Sequence, residues 1–350
     1  MLSFVLRKLL YSLLVLAGVV LLVFYLFQVM PDPSQLTRGQ SSDSTTNANL
    51  REELGMNLKP MPRLAKYIND LSPVSLHAPT AENQSKYHYI PLFTAGSNVL
   101  VIKTPYLRRS FQNQKQVSEM LGEAFTGTII LSVTAIVIAF ILGVILGIIA
   151  SLKKGTPTDT FILLISNLGI SVPSFFLAII ISWVFGYLLH NYTHLDMTGS
   201  LYDYDVFKGK ITAFSHLILP AIALGIRPLS IITQLTRSSM LDVMSADYIR
   251  TARAKGLSTF QVVLKHALRN ALNPVITATG GWFASMLAGA FFIEYIFQWK
   301  GLGRVTVEAL EKSDFPVIMG SVLIIAVIFI VVSILVDIVY ALLDPRVRLE

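Results

Sequence analysis

The sequence predicts an all-α polytopic membrane protein with six transmembrane helices, both termini cytoplasmic, and a small mixed extracytoplasmic insertion between the first two helices. Three observations carry this expectation. The 350 residues are 53% hydrophobic and 14% charged, with a mean hydropathy of +0.63, where a soluble domain carries roughly 25% charged residues. Apolar runs long enough to cross a bilayer core, which takes about 20 residues each, occur at 9–30, 124–152, 161–189, 275–297 and 317–343. A weaker sixth run at 213–235 is interrupted by Pro220, Arg227 and Pro228.

The net charge of +7 is also the mark of nucleic-acid binders, but its distribution excludes that class. Arg7 and Lys8 precede the first run, Lys153 and Lys154 follow the second, a basic segment follows the fourth, and Arg346 and Arg348 follow the sixth. Alternating spans put all of these on one side. The short loops on the other side, 190–212 and 298–316, mix their lysines and arginine with acids. By the positive-inside rule, both termini are cytoplasmic. The first run is too long for a signal-peptide core and no small-x-small cleavage site follows it, so it is retained as a span. No cysteine is present, which removes disulfide and thiolate-metal chemistry.

The chain divides into the first span (1–30), an external stretch (31–121) and a core of five spans (122–350) with a cytoplasmic loop at 237–273. In the external stretch, SQLTRGQSSDSTTNANL reads as loop, LREELGMNLKPMPRLAKYINDL has helical spacing, and HAPTAENQSKYHYIPLFTAGSNVLVIK has the β-branched and aromatic content of a strand pair. Gly143 and Gly147 mark the second span and Gly169 and Pro173 the third. The fifth carries two small-residue rows, Gly280, Ala284, Ala288 and Gly281, Ser285, Gly289. Such rows let helix backbones approach, or leave room for a solute along a path.

Charges inside spans are functional candidates. Arg227 and Asp337 lie at similar depth, so they either pair across the fourth and sixth spans or find separate partners, Arg227 then snorkelling to the headgroups. Glu294 lies in the fifth run. His190 and His194, one turn apart with Asp196 beyond, have a spacing that can ligate a metal or serve as interfacial polar residues. There is no Walker loop and no H-E-x-x-H motif, so an enzymatic reading has little to build on.

The loop DYIRTARAKGLSTFQVVLKHALRN, 247–270, sets Arg250, Arg253, Lys255, Lys265 and Arg269 against the single acid Asp247. Ser245 is placed to cap a first short helix ending at Gly256, and Ser258 with Gln261 forms a capping-box pattern for a second, in which the apolar residues Phe260, Val263, Leu264, Ala267 and Leu268 repeat at helical spacing until Pro274. The expectation is a rigid helix-turn-helix elbow. Tyr248, Ile249, Ala252 and Gly256 would give it an apolar or small docking face, with Arg250, Arg253 and Lys255 to meet acids or headgroups. An ordinary positive-inside loop with anchoring arginines has the same charge.

DYIRTARAKGLS followed by HALRNALNPV resembles the cytoplasmic loop of the inner-membrane subunits of bacterial ABC importers, in the version of the dipeptide and oligopeptide permeases. Ala252, Gly256 and Leu268 match the general E-A-A-x-x-x-G and I-x-L-P pattern. Arg250, Thr251, His266 and Arg269 depart from it in the direction of the peptide permeases. LREELGMN, GVILGIIASLKKGTPTD, GAFFIEYIFQWKGLGR, DFPVIMG and LVDIVYALLDPRVR are also similar to that family's B-type subunit, while 73–114 looks like an insertion. The resemblance implies a pore-forming subunit of the bacterial cytoplasmic membrane, without enzymatic activity or cofactor of its own. Its implied partners are a second, C-type permease subunit, two cytoplasmic ATPases holding ATP and magnesium, and an extracytoplasmic peptide-binding protein. The elbow, Asp247 to Gly256, would be the coupling helix, and its movement would open the path outward. The alternatives are the same architecture carrying another solute such as nickel, with His190 and His194 as the hint, and an ion-coupled secondary transporter using Arg227, Glu294 and Asp337.

Overall fold

The computed structural model describes residues 2–29, 55–205 and 209–343. The loop expected at 34–50 lies outside them. In chain order the elements are α1 (Leu2–Val29), α2 (Pro60–Leu71), β1 (Val74–His77), α3 (Ala81–Tyr87), β2 (Ile90–Ala95), β3 (Asn98–Ile102), α4 (Val117–Leu152), α5 (Pro157–Ser171) and α6 (Ser174–Trp183). There follow β4 (Tyr202–Asp205), β5 (Gly209–Thr212), α7 (Ser215–Met244), α8 (Asp247–Ala254), α9 (Leu268–Gly289), α10 (Phe291–Ile296), α11 (Leu302–Glu311) and α12 (Phe315–Leu343).

The helices follow from the solvent, because in lipid every backbone donor and acceptor must be satisfied within its own segment. Among the described residues α1, α4, α7 and α12 are long and apolar enough to cross a membrane, and α5 with α6 and its π-helical continuation to Leu188 makes a fifth if the bent pair is one span. The bend is 109°. It sits where Val172, held extended at φ −81° and ψ 134° before Pro173, cannot continue the helix. The apolar run at 275–297 is divided: α9 starts upstream at Leu268, stops at Gly289, and α10 resumes after Ala290.

Two compact units emerge. One comprises 1–10, 123–307 and 327–350. Its centre is α7, whose face carrying Ala221, Gly225, Ile232, Thr233 and Thr236 is buried. Glycines let neighbouring helices reach it. A Cβ at Gly143 would come within 2.7 Å of Ile232, one at Gly147 within 2.5 Å of Thr236, and one at Gly169 would collide with Ser230. The loop after α10 is locked by buried polarity. Glu294 is fully buried and accepts from Thr128 Oγ1 at 2.7 Å and from the backbone amides of Gly303 at 2.7 Å and Arg304 at 3.3 Å. A carboxylate there meets the unpaired amides of the first turn of α11. Trp299, also fully buried, donates its indole N–H to the Gly127 carbonyl at 2.9 Å.

The other unit comprises 11–122 and 308–326. β1, β3 and β2 form an antiparallel sheet in that order, with Val74, Ile102 and Ile90 in one cross-strand row and Leu76, Leu100 and Phe93 in another. The expected strand pair is therefore present with a third strand added, and the helical spacing after residue 55 corresponds to α2. One face of the sheet is buried through Ser75, His77, Val99 and Val101. His77 stacks on Tyr87 at 4.2 Å, and Tyr87 donates to Asp70 at 2.9 Å. Phe27, Tyr67, Phe315, Met319 and Leu323 form a core, and the Asp314 carboxylate accepts from Ser110 Oγ and, at 3.0 Å, from the Phe111 amide.

Two outcomes are expected. A Cβ at Gly127 would run into the Lys300 carbonyl oxygen, so Gly127→Ala should cost about 1–3 kcal/mol, read as a lower melting temperature of the purified protein. In the sheet unit, burial first and the Lys103 charge second hold the His77 imidazole below its ordinary 6.5, against a smaller opposite effect of Asp70. The unfolded chain then binds the proton more readily. His77's contribution to stability is full above 6.5 and is lost as pH falls from 6.5 through the lower folded value, and His77→Phe should flatten thermal stability across that window.

Candidate functional site

The elbow begins where α7 ends. Ser245 turns its hydroxyl back to the Asp242 carbonyl at 2.7 Å, so it closes α7 and does not cap α8, whose N-cap is Ala246. Lys255 is the C-cap of α8, and Gly256 follows at φ 83°, a left-handed conformation that reverses the chain. Two residues later the capping box is complete: Ser258 Oγ accepts from the Gln261 amide at 3.4 Å, and Gln261 Oε1 accepts from the Ser258 amide at 3.2 Å. One turn, Thr259–Gln261, passes into a π-helical segment, Val262–Ala267, and then into α9, which runs on through Pro274. The second arm of the elbow, from Thr259 onward, and α9 are thus one continuous rod.

The faces of the elbow differ from the expectation in an instructive way. Ile249 and Ala252 are buried in the chain's own core with Met240, Val262, Val263, Ala267 and Ala271. They therefore brace the elbow and offer nothing to a partner. Phe260 and Leu264, which helical spacing put inward, are exposed, Phe260 at 73%. The extra residue in the π-helical turn rotates Val262 inward in their place. The outward surface is Asp247, Tyr248, Arg250, Arg253, Lys255, Gly256 and Phe260. Tyr248 is held by its hydroxyl, which accepts from Asn270 Nδ2 at 2.9 Å. The Arg250–Asp247 contact at 3.4 Å is solvent-exposed on both sides and stabilises little.

Next to the elbow lies an ion pair that joins residues 78 apart in sequence. Arg237 on α7 grips Asp159 at the start of α5 with two bonds, Nε to Oδ1 at 2.6 Å and Nη2 to Oδ2 at 2.7 Å, and Asp159 also accepts from the Gly155 amide at 2.9 Å. The carboxylate is buried. A bidentate guanidinium–carboxylate fork is among the strongest and most directional side-chain contacts. No local pattern could have shown it, since its halves belong to different helices.

The charges within the spans do not pair as one alternative had it. Asp337 takes Lys8 at 2.7 Å, and the Arg227 guanidinium lies 5.9 Å above the Trp282 ring. Glu294 is committed to the first turn of α11. His190 Nδ1 is 2.7 Å from the Leu195 carbonyl and Asp196 meets His216 at 3.1 Å, so the His190, His194, Asp196 spacing does not converge on one point. Among the described residues, no three metal-ligating side chains gather. The small rows separate as well. Gly280 faces Val336, 2.7 Å from where its Cβ would be, and Ala284 is buried, whereas Gly281 has open space and Ser285 is exposed. For Ala288 and Gly289 only the helical backbone is described.

The profile of the family "Binding-protein-dependent transport system inner membrane component" matches residues 143–349, and that of the corresponding N-terminal family matches 1–134. The chain belongs to this family of inner-membrane transport components. It is 33% identical to the dipeptide transport system permease protein DppB of Alkalihalophilus pseudofirmus, over 99% of this chain and all of that one, and 35% identical to DppB of Escherichia coli K12, over 99% of both. To the glutathione transport system permease protein GsiC of Salmonella typhimurium it is 33% identical over 99% of both. Among solved structures, the inward-facing MetNI methionine ABC transporter shares the fold at a TM-score of 0.51 and 16% identity, covering 65% of this chain and 97% of that one.

In this DppB-like permease α7 and α9 each leave polar or small residues on their surface. On α9, Asn270, Asn273, Gly281 and Ser285 are exposed; on α7, Arg227 is exposed and Gln234 is half-buried, reaching Asn167 of α5 at 3.0 Å. Polar groups at membrane depth face water or protein rather than lipid. Two substitutions test the elbow and its brace. Gly256→Ala should cost roughly 1–2 kcal/mol through backbone strain alone, because the space around it is open. Asp159→Ala should cost roughly 3–5 kcal/mol by stranding Arg237. Thermal denaturation of the two purified variants checks both, and Arg237→Lys, which retains the charge but not the fork, should fall between wild type and Asp159→Ala.

Proposed function

We propose that this permease is one of two pore-forming subunits of an ATP-driven importer of di- and oligopeptides. The observation that carries it is the elbow: a capped, glycine-hinged segment braced from behind by Ile249 and Ala252, exposing a basic and aromatic surface, and fused to α9 without a break. A rod of this kind transmits displacement from a partner at one end to the packing at the other. The partners are two ATPases, which would hold ATP and magnesium, with Phe260, Tyr248, Arg250, Arg253 and Lys255 as the contact surface. A C-type permease subunit would complete the pore against the polar and small residues exposed on α7 and α9. The peptide cargo is supported by the names of the relatives, which carry dipeptides and glutathione, itself a tripeptide.

The six-span topology with cytoplasmic termini accords with the basic clusters at Arg7 and Lys8, at Lys153 and Lys154, and on the elbow. It leaves the β1–β3 sheet on the extracytoplasmic side, where Val74, Leu76, Ile90, Phe93 and Ile102 make an exposed apolar face. A patch of this kind on a soluble surface marks an interaction site, and in a binding-protein-dependent system the binding protein is the partner on that side. An ion-coupled carrier is disfavoured, because Glu294 and Asp337 already have structural partners.

Purification of the tagged chain from its native membrane should recover two ATPases and a second permease. Gly256→Pro and Phe260→Asp should lose the ATPases while retaining the second permease. Recovery of the chain alone from wild-type membranes would overturn the importer reading. Ile90→Asp combined with Phe93→Asp should lower uptake of a labelled dipeptide at least severalfold while the ATPases still co-purify; uptake at the wild-type rate would remove the sheet face from the docking scheme.

A further inference from the structure

The unit that carries the sheet contains, besides the Ser321 hydroxyl, four side-chain donors shut off from solvent and without a hydrogen-bond partner among the described residues: Nε and Nη1 of Arg108, Nη2 of Arg63 and the hydroxyl of Tyr67. They are neighbours. The Arg63 guanidinium is 5.2 Å and that of Arg108 6.0 Å from the centre of the same Phe27 ring, and Arg108 is 5.5 Å from the Tyr67 ring. Arg108 is only 7% exposed and holds a backbone φ of 70°. A non-glycine residue stays in that conformation only where its surroundings fix it.

Stacking on aromatic faces offsets part of the cost of burying a guanidinium, but a ring face leaves in-plane N–H groups unmade. Charge is unbalanced among the described residues as well. Burial first and the Arg108 charge second lower the proton affinity of Arg63, so the two cations repel each other. The acid whose field reaches Tyr67, Asp70, has its carboxylate engaged by Tyr87. Burial pushes the Tyr67 hydroxyl up to about 12, which keeps it protonated and able to donate.

We propose that Arg63, Tyr67 and Arg108 form a binding site for a monatomic anion of the size of chloride. An anion accepts from all the donors at once and neutralises the pair, whereas a water accepts fewer bonds and cancels no charge. Size decides against larger anions. Tyr67 and Arg108, though not Arg63, line a small, partly open cavity of about 10 Å³ together with residues such as Leu71, Leu107, Met319 and Leu323, which is room for about one water-sized sphere, so a chloride enters once the lining gives slightly. Phosphate or a peptide terminus does not enter. The bound ion would tie α2, through Arg63 and Tyr67, to the strap before α4 that carries Arg108 and to the start of α12. Asp314 already fastens the same strap through Ser110 and Phe111, so the anion would be its second anchor.

The test uses the full-length protein purified in detergent, melted in sodium chloride and in sodium gluconate at equal ionic strength, with crystals or grids prepared in sodium bromide. The expected result is a higher, saturable melting temperature in chloride and an anomalous bromide peak between Arg63, Tyr67 and Arg108. Arg108→Met should abolish the chloride dependence. Should that variant fail to fold, Arg63→Gln, at a less buried position, is expected to raise the half-saturating chloride concentration at least tenfold. Equal melting in both salts, or a water or a carboxylate side chain occupying that position in place of bromide, overturns the proposal.

Discussion

The structure depends on one constraint, the cost of leaving a polar group unpaired away from water. It dictates helices where the chain meets lipid, and it dictates that the charges remaining near or within spans be engaged. Asp159 and Arg237 satisfy each other in a fork, Asp337 takes Lys8, and Glu294 replaces the missing partners of a helix start. Each of these bonds also fixes geometry. The Asp159–Arg237 fork holds the start of α5 against α7 a few residues before the elbow, so the segment that leads into α8 departs from a braced position.

From that position the elbow inherits its stiffness. A basic loop following a span would satisfy the positive-inside rule without any fixed shape. Here the left-handed Gly256, the reciprocal Ser258–Gln261 bonds and the burial of Ile249 and Ala252 against the π-helical segment and the start of α9 remove the freedom that such a loop would have. The coupling role proposed for the elbow requires this, because a displacement delivered to a flexible tether is lost in the tether. At the far end of the same rod, Gly281 and Ser285 stand free while Gly280 and Ala284 pack, so a movement of α9 changes a packed seam and an open face together.

Much of this was legible in the sequence where the signal is local. The apolar runs, Gly256, the capping box and the strand pair follow from composition, spacing and turn chemistry within a few residues. Long-range partners were not legible. Nothing near Asp159 points to Arg237, and Asp337 gave no sign of choosing Lys8 over Arg227, since helix depth constrains partners only along one axis. Phe260 was misplaced for a different reason. An inserted π-helical turn shifts the face by one residue, and the periodicity that assigns Phe260 and Leu264 to the core assumes a regular α-helix from the cap onward. The general lesson is that helical spacing read across a functional bend gives the wrong face on one side of it.

The same limit explains why the small rows could not be told apart in advance. Gly280 and Gly281 are adjacent, equally small and equally suited to close packing, yet they differ by about 100° around the helix axis. One meets Val336 and the other meets open space. The difference is set by where α12 lies, a tertiary fact. It matters for the path, because a row that already packs within the chain has no room for a solute, whereas the row at Gly281 and Ser285 can meet either the solute or the second permease subunit. The exposed side chains Asn270 and Asn273 on α9 and Arg227 on α7 favour an aqueous or protein environment for that surface over lipid. Of the two rows it is therefore the open one, not the packed one, that leaves room for the proposed cargo or second subunit.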